Sequence, residues 1–243
     1  RLSRDLLNLV WGDVAYPFLL TLSTWGHEKG AWQRTRLGCN LVLQLNFSNL
    51  HDQLYRRLVK PTAEDTFKYY GHPSLKRGER DFFRETLAWA RIDLDFSQDE
   101  ALIEEIQSDW IREAQDDLRE VLSCDPTKPT EIIIYGMEGS TQDLQTYFHK
   151  VLKPYAQLWD EAMLTATIGF IRDELGIRKI FYHSYETGCL IKKCSPPRSL
   201  YTHLPRQFCF QESEQAPSFL QREKRFHKVV RKIHHPTWYK LEL

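Results

Sequence analysis

Alternating apolar and polar positions predict several β-strands along the chain. In residues 40–47 the side chains of Leu41, Leu43 and Leu45 recur at every second position, which is typical of a strand with one buried face. The stretch from Thr86 to Trp110 contains two such runs joined by a short polar connection, and we expect them to pair as a hairpin. Further strands are predicted at residues 18–24, 131–135, 178–183, 208–210 and 237–243.

Helical periodicity and helix-end signals occur between these strands. Ser48 is a plausible N-cap for a helix that ends before Pro61, and Gly176 follows a long periodic segment in the usual C-terminal position. A serine or aspartate at 108–109 could cap the helix after the hairpin. Helices are predicted at residues 4–11, 48–58, 62–70, 111–122, 141–152, 155–175, 198–207 and 217–234.

This order of elements predicts an α+β (mixed α/β) fold with a central mixed sheet. The β-hairpin at about 86–110 is expected in the middle of that sheet, flanked by helices. The helix, glycine and strand of residues 155–183 form the second half of a βαβ unit. No internal repeat divides the chain, so we expect a single compact α/β domain over residues 1–243, with a possible linker at 124–130, where two prolines occur.

The amino-acid composition argues against some functional classes. The chain has 243 residues, 42% of them hydrophobic, with 33 basic and 33 acidic residues, so it does not resemble a polyanion-binding protein as a whole. No apolar run is long enough to cross a bilayer, so we expect no membrane contact. Five cysteines without a recognisable secretion signal favour reduced thiols and a cytoplasmic location.

The predicted hairpin holds most of the interesting carboxylates. Because side chains alternate across a strand, Arg91, Asp93, Asp95, Glu105 and Gln107 share one face if the two strands pair. The register decides which face Glu104 and Glu105 occupy. Clustered carboxylates on neighbouring strands are typical ligands of a hard cation, but they are equally typical of a solvent-exposed face with acid–base pairs across strands.

One resemblance concerns three residues of this face. Asp93, followed by Glu105-Ile106-Gln107, is similar to the pattern of the PD-(D/E)XK nucleases, with an Asp on one strand and E-x-K on the next. The resemblance implies a nuclease that uses Mg²⁺ bound by Asp93 and Glu105, with Gln107 as the third catalytic position. Gln107 replaces the lysine of the family and cannot carry its positive charge.

A second resemblance concerns the end of the hairpin. The string Glu104-Glu105-Ile106-Gln107-Ser108-Asp109-Trp110 resembles the EEIQSDW signature of a domain of large polyvalent proteins from phages and mobile elements. Those domains continue with a Trp-led helix and a strand, and residues 159–175 followed by 179–183 are similar. The resemblance implies a phage or mobile-element origin more than it implies a reaction.

The order of elements also resembles the GNAT-like acyltransferases. That resemblance implies acetyl-CoA as the ligand, and it makes Tyr201, which precedes the predicted strand at 208–210, the equivalent of the general-acid tyrosine of the family. The fold needs a glycine-rich loop whose backbone N–H groups face the pyrophosphate. After Trp110 the chain has Ile111-Arg112-Glu113-Ala114, without a glycine. An atypical or degenerate acyltransferase is therefore our first functional hypothesis.

The C-terminal part contains a basic stretch. Its members are Arg222, Lys224, Arg225, Lys228, Arg231 and Lys232. These side chains could contact nucleic-acid phosphates, with Trp238 and Tyr239 nearby for stacking on bases. A solvated helix face is the more common meaning of such a run.

Two further patterns have ordinary explanations beside functional ones. A zinc site could form from His183, Cys189, Cys194, His203 and Cys209, although the spacing matches no standard zinc motif and buried thiols explain it as well. The segment 136–140 contains two glycines after a predicted strand and could bind an anion, but a simple turn is the commoner reading. A non-enzymatic interaction module with a protein partner is the third functional class.

Overall fold

Seven strands form one mixed sheet in the order β1-β2-β3-β4-β5-β7-β6. The computed structural model describes residues 18–26, 34–36, 38–76, 83–123, 136–193 and 195–243. Within these residues, β4 and β5 are the one parallel pair, and all other neighbouring strands are antiparallel. The strands are β1 (Leu19–Trp25), β2 (Asn40–Asn46), β3 (Thr86–Asp95), β4 (Glu100–Gln107), β5 (Lys179–His183), β6 (Gln211–Ser213) and β7 (Trp238–Glu242).

Seven α-helices connect these strands in the described part of the chain. They are α1 (Asn49–Leu58), α2 (Asp109–Ser123), α3 (Thr141–Thr146), α4 (Lys153–Gly169), α5 (Tyr185–Lys192), α6 (His203–Gln207) and α7 (Lys224–Val230). Two π-helical turns, Tyr147–Leu152 and Phe170–Glu174, continue α3 and α4. Short 3₁₀-helices lie at Arg198–Tyr201 and Leu220–Arg222. In the described residues no helix has the length and apolar character needed to traverse a bilayer.

The predicted α+β fold is confirmed, and the hairpin of β3 and β4 occupies the third and fourth positions of the sheet. One side of the sheet, here called the core face, carries Ala90, Ile92 and Ile103 and packs on helices α1 to α4 in the main hydrophobic core. The opposite side is here called the second face. It packs on a smaller cluster with the members Leu102, Phe181, Ala216, Phe219, Leu220, Phe226 and Trp238.

Because segments of chain cover both faces, β2 is buried on both sides over most of its length, and not on one side as its alternation predicted. Of the two alternatives for the polar face of the hairpin, the solvent-exposed face is also wrong. Arg91 is fully buried, and Asp93 and Glu105 are only 5% and 6% exposed. Buried ionised groups need partners, so the polar face must be held by internal pairs.

Several predicted helix ends are confirmed by their hydrogen bonds. Ser48 caps α1 by accepting from His51 N, and Ser108 Oγ accepts from Ile111 N in the first turn of α2. Gly176 follows the π-helical turn after α4 with a φ of +68°, a conformation that costs glycine little. Each of these helix-end signals depends on only one or two residues, so it can be recognised in the sequence.

Other predicted elements are wrong or shorter. Residues 62–70 form turns and not a helix, since Phe67 adopts a left-handed φ of 57° that interrupts helical geometry. Cys209 has a φ of 63°, and the strand predicted at 208–210 lies instead at β6. Only α7 and one 3₁₀-helix occupy the helix predicted at 217–234. The helix at 4–11, the linker at 124–130 and the strand at 131–135 lie outside the described residues.

Replacing Asp117 with asparagine is expected to stabilise the protein at neutral pH. Burial, together with the charges of Glu113, Glu120 and Asp116, raises the pKa of Asp117 to about 6. A raised carboxyl pKa disfavours the folded state above that pH, so the variant should gain on the order of 1 kcal/mol at pH 7 after allowance for solvent screening. The gain should shrink as the pH falls from about 6 towards 4. Chemical denaturation across this pH range measures it.

The control for this prediction is Asp116→Asn on the same helix. Asp116 is more than half exposed and pairs with Arg119 at 2.6 Å, so its replacement should change the free energy of unfolding by less than about 0.5 kcal/mol. Equal effects of the two variants, or a gain that persists at pH 4, would contradict the assignment to Asp117.

Candidate functional site

A β-bulge in β4 sets the geometry of the polar face. Arg91 pairs with Glu105 and Ile92 pairs with Ile103, so Glu104 has no opposite residue in β3. A bulge of this kind re-aims the side chains on either side of it. Here Glu104 and Glu105 both contact groups on the second face. The register question raised by the sequence is therefore settled by one inserted residue.

Glu104 is held by two different segments of the chain. Thr35 donates to it twice, from its backbone N to Oε1 at 3.0 Å and from Oγ1 to Oε2 at 2.6 Å. His183 Nε2 lies 3.2 Å from Glu104 Oε2. Burial alone would raise the pKa of the Glu104 carboxyl, but His183, Arg91 and Thr35 together bring it below its usual value. Glu104 is therefore an ionised carboxylate in a buried site.

The contacts of His183 define its tautomer. Its Nε2 faces Glu104 Oε2 and also Thr35 Oγ1 at 3.2 Å. Thr35 gives its hydroxyl hydrogen to Glu104, so both neighbours of Nε2 are acceptors and Nε2 carries the hydrogen. In the neutral ring Nδ1 then has a lone pair, which makes it the basic nitrogen. A carboxylate that orients a histidine in this way is a recurring part of general-base sites.

Next to this group, Glu105 pairs with Arg91. The guanidinium donates to Glu105 Oε2 from Nη2 at 2.6 Å and from Nε at 3.1 Å. It also donates to Asn40 Oδ1 at 3.4 Å and lies 5.3 Å from the ring of Trp25. Glu105 is thus paired with a fully buried arginine. This arginine stands where the sequence had also allowed for a metal ion.

Asp93 is held by a second arginine. Arg36 donates to both carboxylate oxygens, with its shortest bond at 2.7 Å, and stacks over Phe219 at 4.4 Å. Burial raises the pKa of Asp93 to about 6, with the charge of Glu104 adding to it and Arg36 opposing it. Both predicted metal ligands are therefore engaged by guanidinium groups. The described residues contain no group of three or more His, Cys, Asp or Glu side chains that could hold a metal ion.

The remaining polar residues of the EEIQSDW string support the hairpin and α2. Gln107, the third predicted nuclease position, donates its amide to Asp109 Oδ1 at 2.5 Å. Asp109 also accepts from Trp89 Nε1 at 3.0 Å and contacts His72 Nδ1 at 2.9 Å. Burial would raise the pKa of Asp109, but His72, Trp89 and Arg112 bring it below its usual value. Gln107 and Asp109 therefore have structural roles, in holding the hairpin and the start of α2.

Tyr201, the predicted general acid, lies on the other side of the sheet. Its buried ring packs 5.4 Å from that of Tyr182, which belongs to the core face. Asp93, Glu105 and Gln107 contact groups on the second face, so the structure does not bring Tyr201 together with them. Gly188 lies close to both Tyr201 and His183, since a Cβ on Gly188 would lie 3.0 Å from the tyrosine ring and 3.7 Å from His183 Cβ.

Two further predicted sites are the zinc site and the anion-binding segment 136–140. Cys189 and Cys209 are free thiols, His183 is bonded to Glu104, and Cys194 lies outside the described residues. In the segment 136–140, the backbone N–H groups of Glu138 and Gly139 donate to Val59 O, so they do not face a ligand. This segment is a turn against the end of α1.

The basic stretch lies on the surface around α7. Phe226 is buried against Trp238 and anchors the helix to the second face. The side chains of Arg222, Lys224, Lys228, Arg231 and Lys232 are exposed, while that of Arg225 is outside the described set. Contact with nucleic acid remains a prediction for these residues.

Sequence reasoning missed the partnership of Thr35, Glu104 and His183. The only signal for it was indirect: Glu104 sits in a distinctive string, and His183 ends a predicted strand that follows a helix. Nothing in the sequence marked Thr35, which is 69 positions from Glu104. Comparisons of this chain with protein-family models, with curated proteins and with solved structures find no match.

Proposed function

We propose that this chain is an atypical acyltransferase of GNAT-like architecture, belonging to the phage and mobile-element proteins that its EEIQSDW string resembles. One observation carries the proposal. Glu104 and His183 meet directly after the last pair of the parallel ladder between β4 and β5, at the carboxyl end of that ladder. The carboxyl ends of parallel strands are where open α/β sheets bind ligands.

The path of the chain supports this location. After β4 the chain enters α2, whose Trp110 and Ile111 pack on the core face. After β5 it enters α5, which contacts α7, the helix anchored on the second face. The helix after β5 also packs against the main core through Tyr185, so the two connections border the end of this parallel ladder.

The N-terminus of α2 does not fit a CoA pyrophosphate. A phosphate there would need free backbone N–H groups, but Ser108 Oγ already accepts from Ile111 N. The Asp109 carboxylate also occupies this helix end and would repel an anion. The acyl donor that we propose is therefore an activated acyl group, such as a thioester, that is not held by a diphosphate at this helix.

The alternative of a PD-(D/E)XK-like nuclease gains no support from the site. Asp93 and Glu105 have arginine partners, and Gln107 is bonded to Asp109. A divalent cation would have to displace the fully buried Arg91 and the partly buried Arg36 from these buried carboxylates, which is costly. The interaction module remains the alternative that the following experiment addresses.

Release of free thiol from acyl thioesters tests the proposal. The protein is given acetyl-CoA or S-acetyl-N-acetylcysteamine, a thioester without a diphosphate, together with a panel of amine acceptors. We expect acceptor-dependent thiol release from both donors. Glu104→Gln should lower the turnover by about 10- to 100-fold, because the neutral amide no longer stabilises the positive charge on a protonated His183.

Glu186→Gln is the matched control, since Glu186 is exposed in the first turn of α5. It should retain wild-type turnover. If the wild-type protein releases no thiol from either donor with any acceptor, and neither donor changes its melting temperature, the acyltransferase proposal is overturned and the interaction module is favoured.

A further inference from the structure

Three buried ring nitrogens have no hydrogen-bond partner within the described residues, Trp25 Nε1 among them, and the other two belong to neighbouring strands on the second face. These two are His183 Nδ1 and Trp238 Nε1, on side chains that are each 1% exposed. His183 and Trp238 are directly opposite each other in the ladder between β5 and β7. Directly opposed side chains in an antiparallel pair lie on one face, with Cβ atoms about 5 Å apart.

Unpartnered buried polar groups are costly, typically about 1–3 kcal/mol each, and they are uncommon in folded proteins. Here the two groups are complementary. The indole N–H can only donate, whereas Nδ1 of the neutral His183 can only accept, because Nε2 carries the ring hydrogen. A ligand that satisfies both must present one acceptor and one donor, as an acyl carbonyl beside an attacking amine does.

We propose that His183 is the general base and Trp238 the carbonyl-oxygen donor of the acyl transfer, so that the pair binds an acyl group and a primary-amine acceptor. This assignment rests on the proposed function. Glu104 and Thr35 are positioning residues, because they hold Nε2 and fix the tautomer without reaching the substrate.

The chemistry balances with an activated acyl donor such as a thioester. The acceptor ammonium loses one proton to His183 Nδ1, and the freed amine forms the new N–C bond at the acyl carbon. The carbonyl oxygen gains negative charge and accepts from Trp238 Nε1. The C–S bond then breaks, and the thiolate leaves as a thiol with the second proton of the amine. His183 returns its proton to solvent.

The surrounding charges suit a base that becomes cationic. Glu104 faces the ring from β4 and stabilises the imidazolium. Asp93 and Arg91 lie on the adjoining β3, and Arg36 belongs to the same segment as Thr35. Arg91 and Arg36 are each paired with a carboxylate, so the ionised Glu104 is the charged group in direct contact with the histidine.

Two substitutions test the pair with the full chain in the thiol-release assay. His183→Gln keeps a donor for Glu104 but removes the base, and we expect kcat to fall by about 10²- to 10⁴-fold. Trp238→Phe keeps the ring in its cluster but removes the N–H, and we expect a loss of about 10²-fold in kcat with little change in KM. The ascending limb of the pH–rate profile should disappear in His183→Gln. In Glu104→Gln it should move to lower pH.

Matched controls are His149→Gln, on an exposed side chain, and Trp159→Phe in α4. Both should retain wild-type kcat. Ring ¹⁵N–¹H spectra give a readout that does not depend on turnover, and the signal absent from His183→Gln identifies the residue. We expect hydrogen on Nε2 and a bare Nδ1 in the neutral ring.

The outcomes separate the two proposals. A wild-type protein that turns over thioesters while His183→Gln keeps more than half of its kcat overturns the base assignment and leaves the acyltransferase intact. Hydrogen on Nδ1 in the neutral ring also overturns the assignment, whatever the activity. A wild-type protein that shows neither turnover nor a donor-induced change in melting temperature removes the acyltransferase and the base together.

Discussion

Replacing Arg91 with methionine is expected to lower the free energy of unfolding by about 3–5 kcal/mol. The arginine is fully buried, and its guanidinium makes the 2.6 Å ion pair with Glu105 and the bond to Asn40. Its removal takes away the guanidinium that lies 2.6 Å from the buried carboxylate of Glu105. Chemical denaturation at pH 7 measures the change, and the melting temperature should fall by roughly 10 °C.

The double variant Arg91→Met with Glu105→Leu separates charge from packing. Replacing both members of a buried ion pair by apolar residues of similar size is often neutral or stabilising. We therefore expect the double variant to recover most of the lost stability. Arg119→Met is the exposed control and should cost less than about 1 kcal/mol. A double variant as unstable as the single one would contradict the account.

Truncation of Trp110 to alanine should cost a similar amount, about 3–5 kcal/mol. The indole is 1% exposed and packs against Phe47 and Tyr55, with ring centroids at 5.2 and 4.8 Å. Its Nε1 also donates to Tyr147 Oη at 2.8 Å, which ties α2 to the π-helical turn after α3. Equilibrium unfolding in urea measures the loss.

Trp110→Phe separates the contribution of packing to the free energy of unfolding from that of the hydrogen bond. It keeps an aromatic ring in the cluster and should cost about 1–2 kcal/mol, most of it from the lost bond to Tyr147 and the smaller ring. Tyr70→Ala is the control, because that ring is 94% exposed, and it should be close to neutral. If Trp110→Ala costs no more than Trp110→Phe, the cluster does not depend on this side chain.

Much of the fold could be read from the sequence because its signals are local. The alternation in β2 to β4, the caps at Ser48 and Ser108 and the glycine at position 176 each depend on a few neighbouring residues. The central position of the hairpin followed from the order of elements. The turns at 62–70 were missed because the left-handed φ of Phe67 leaves no mark in an otherwise helical pattern.

The site could not be read in the same way. Its geometry depends on a single inserted residue in β4, and a shift of one residue changes which face a side chain occupies. The partners of Glu104 are 69 and 79 positions away, at Thr35 and His183. Local periodicity contains no information on such pairs. The candidate residues Asp93 and Glu105 were correctly expected on one face, but their arginine partners decide what they can do.

The strand order also has a consequence for how the chain reaches its native state. β4 and β5 pair although Glu100 and Lys179 are 79 positions apart, and β7 lies between β5 and β6. Pairings between distant segments must overcome the entropy of closing long loops, so folding is slow when they dominate. The hairpin of β3 and β4 is a local pairing, and we expect it to form early. We therefore expect the catalytic candidates on β5 and β7 to come together late in folding, when these distant strands pair.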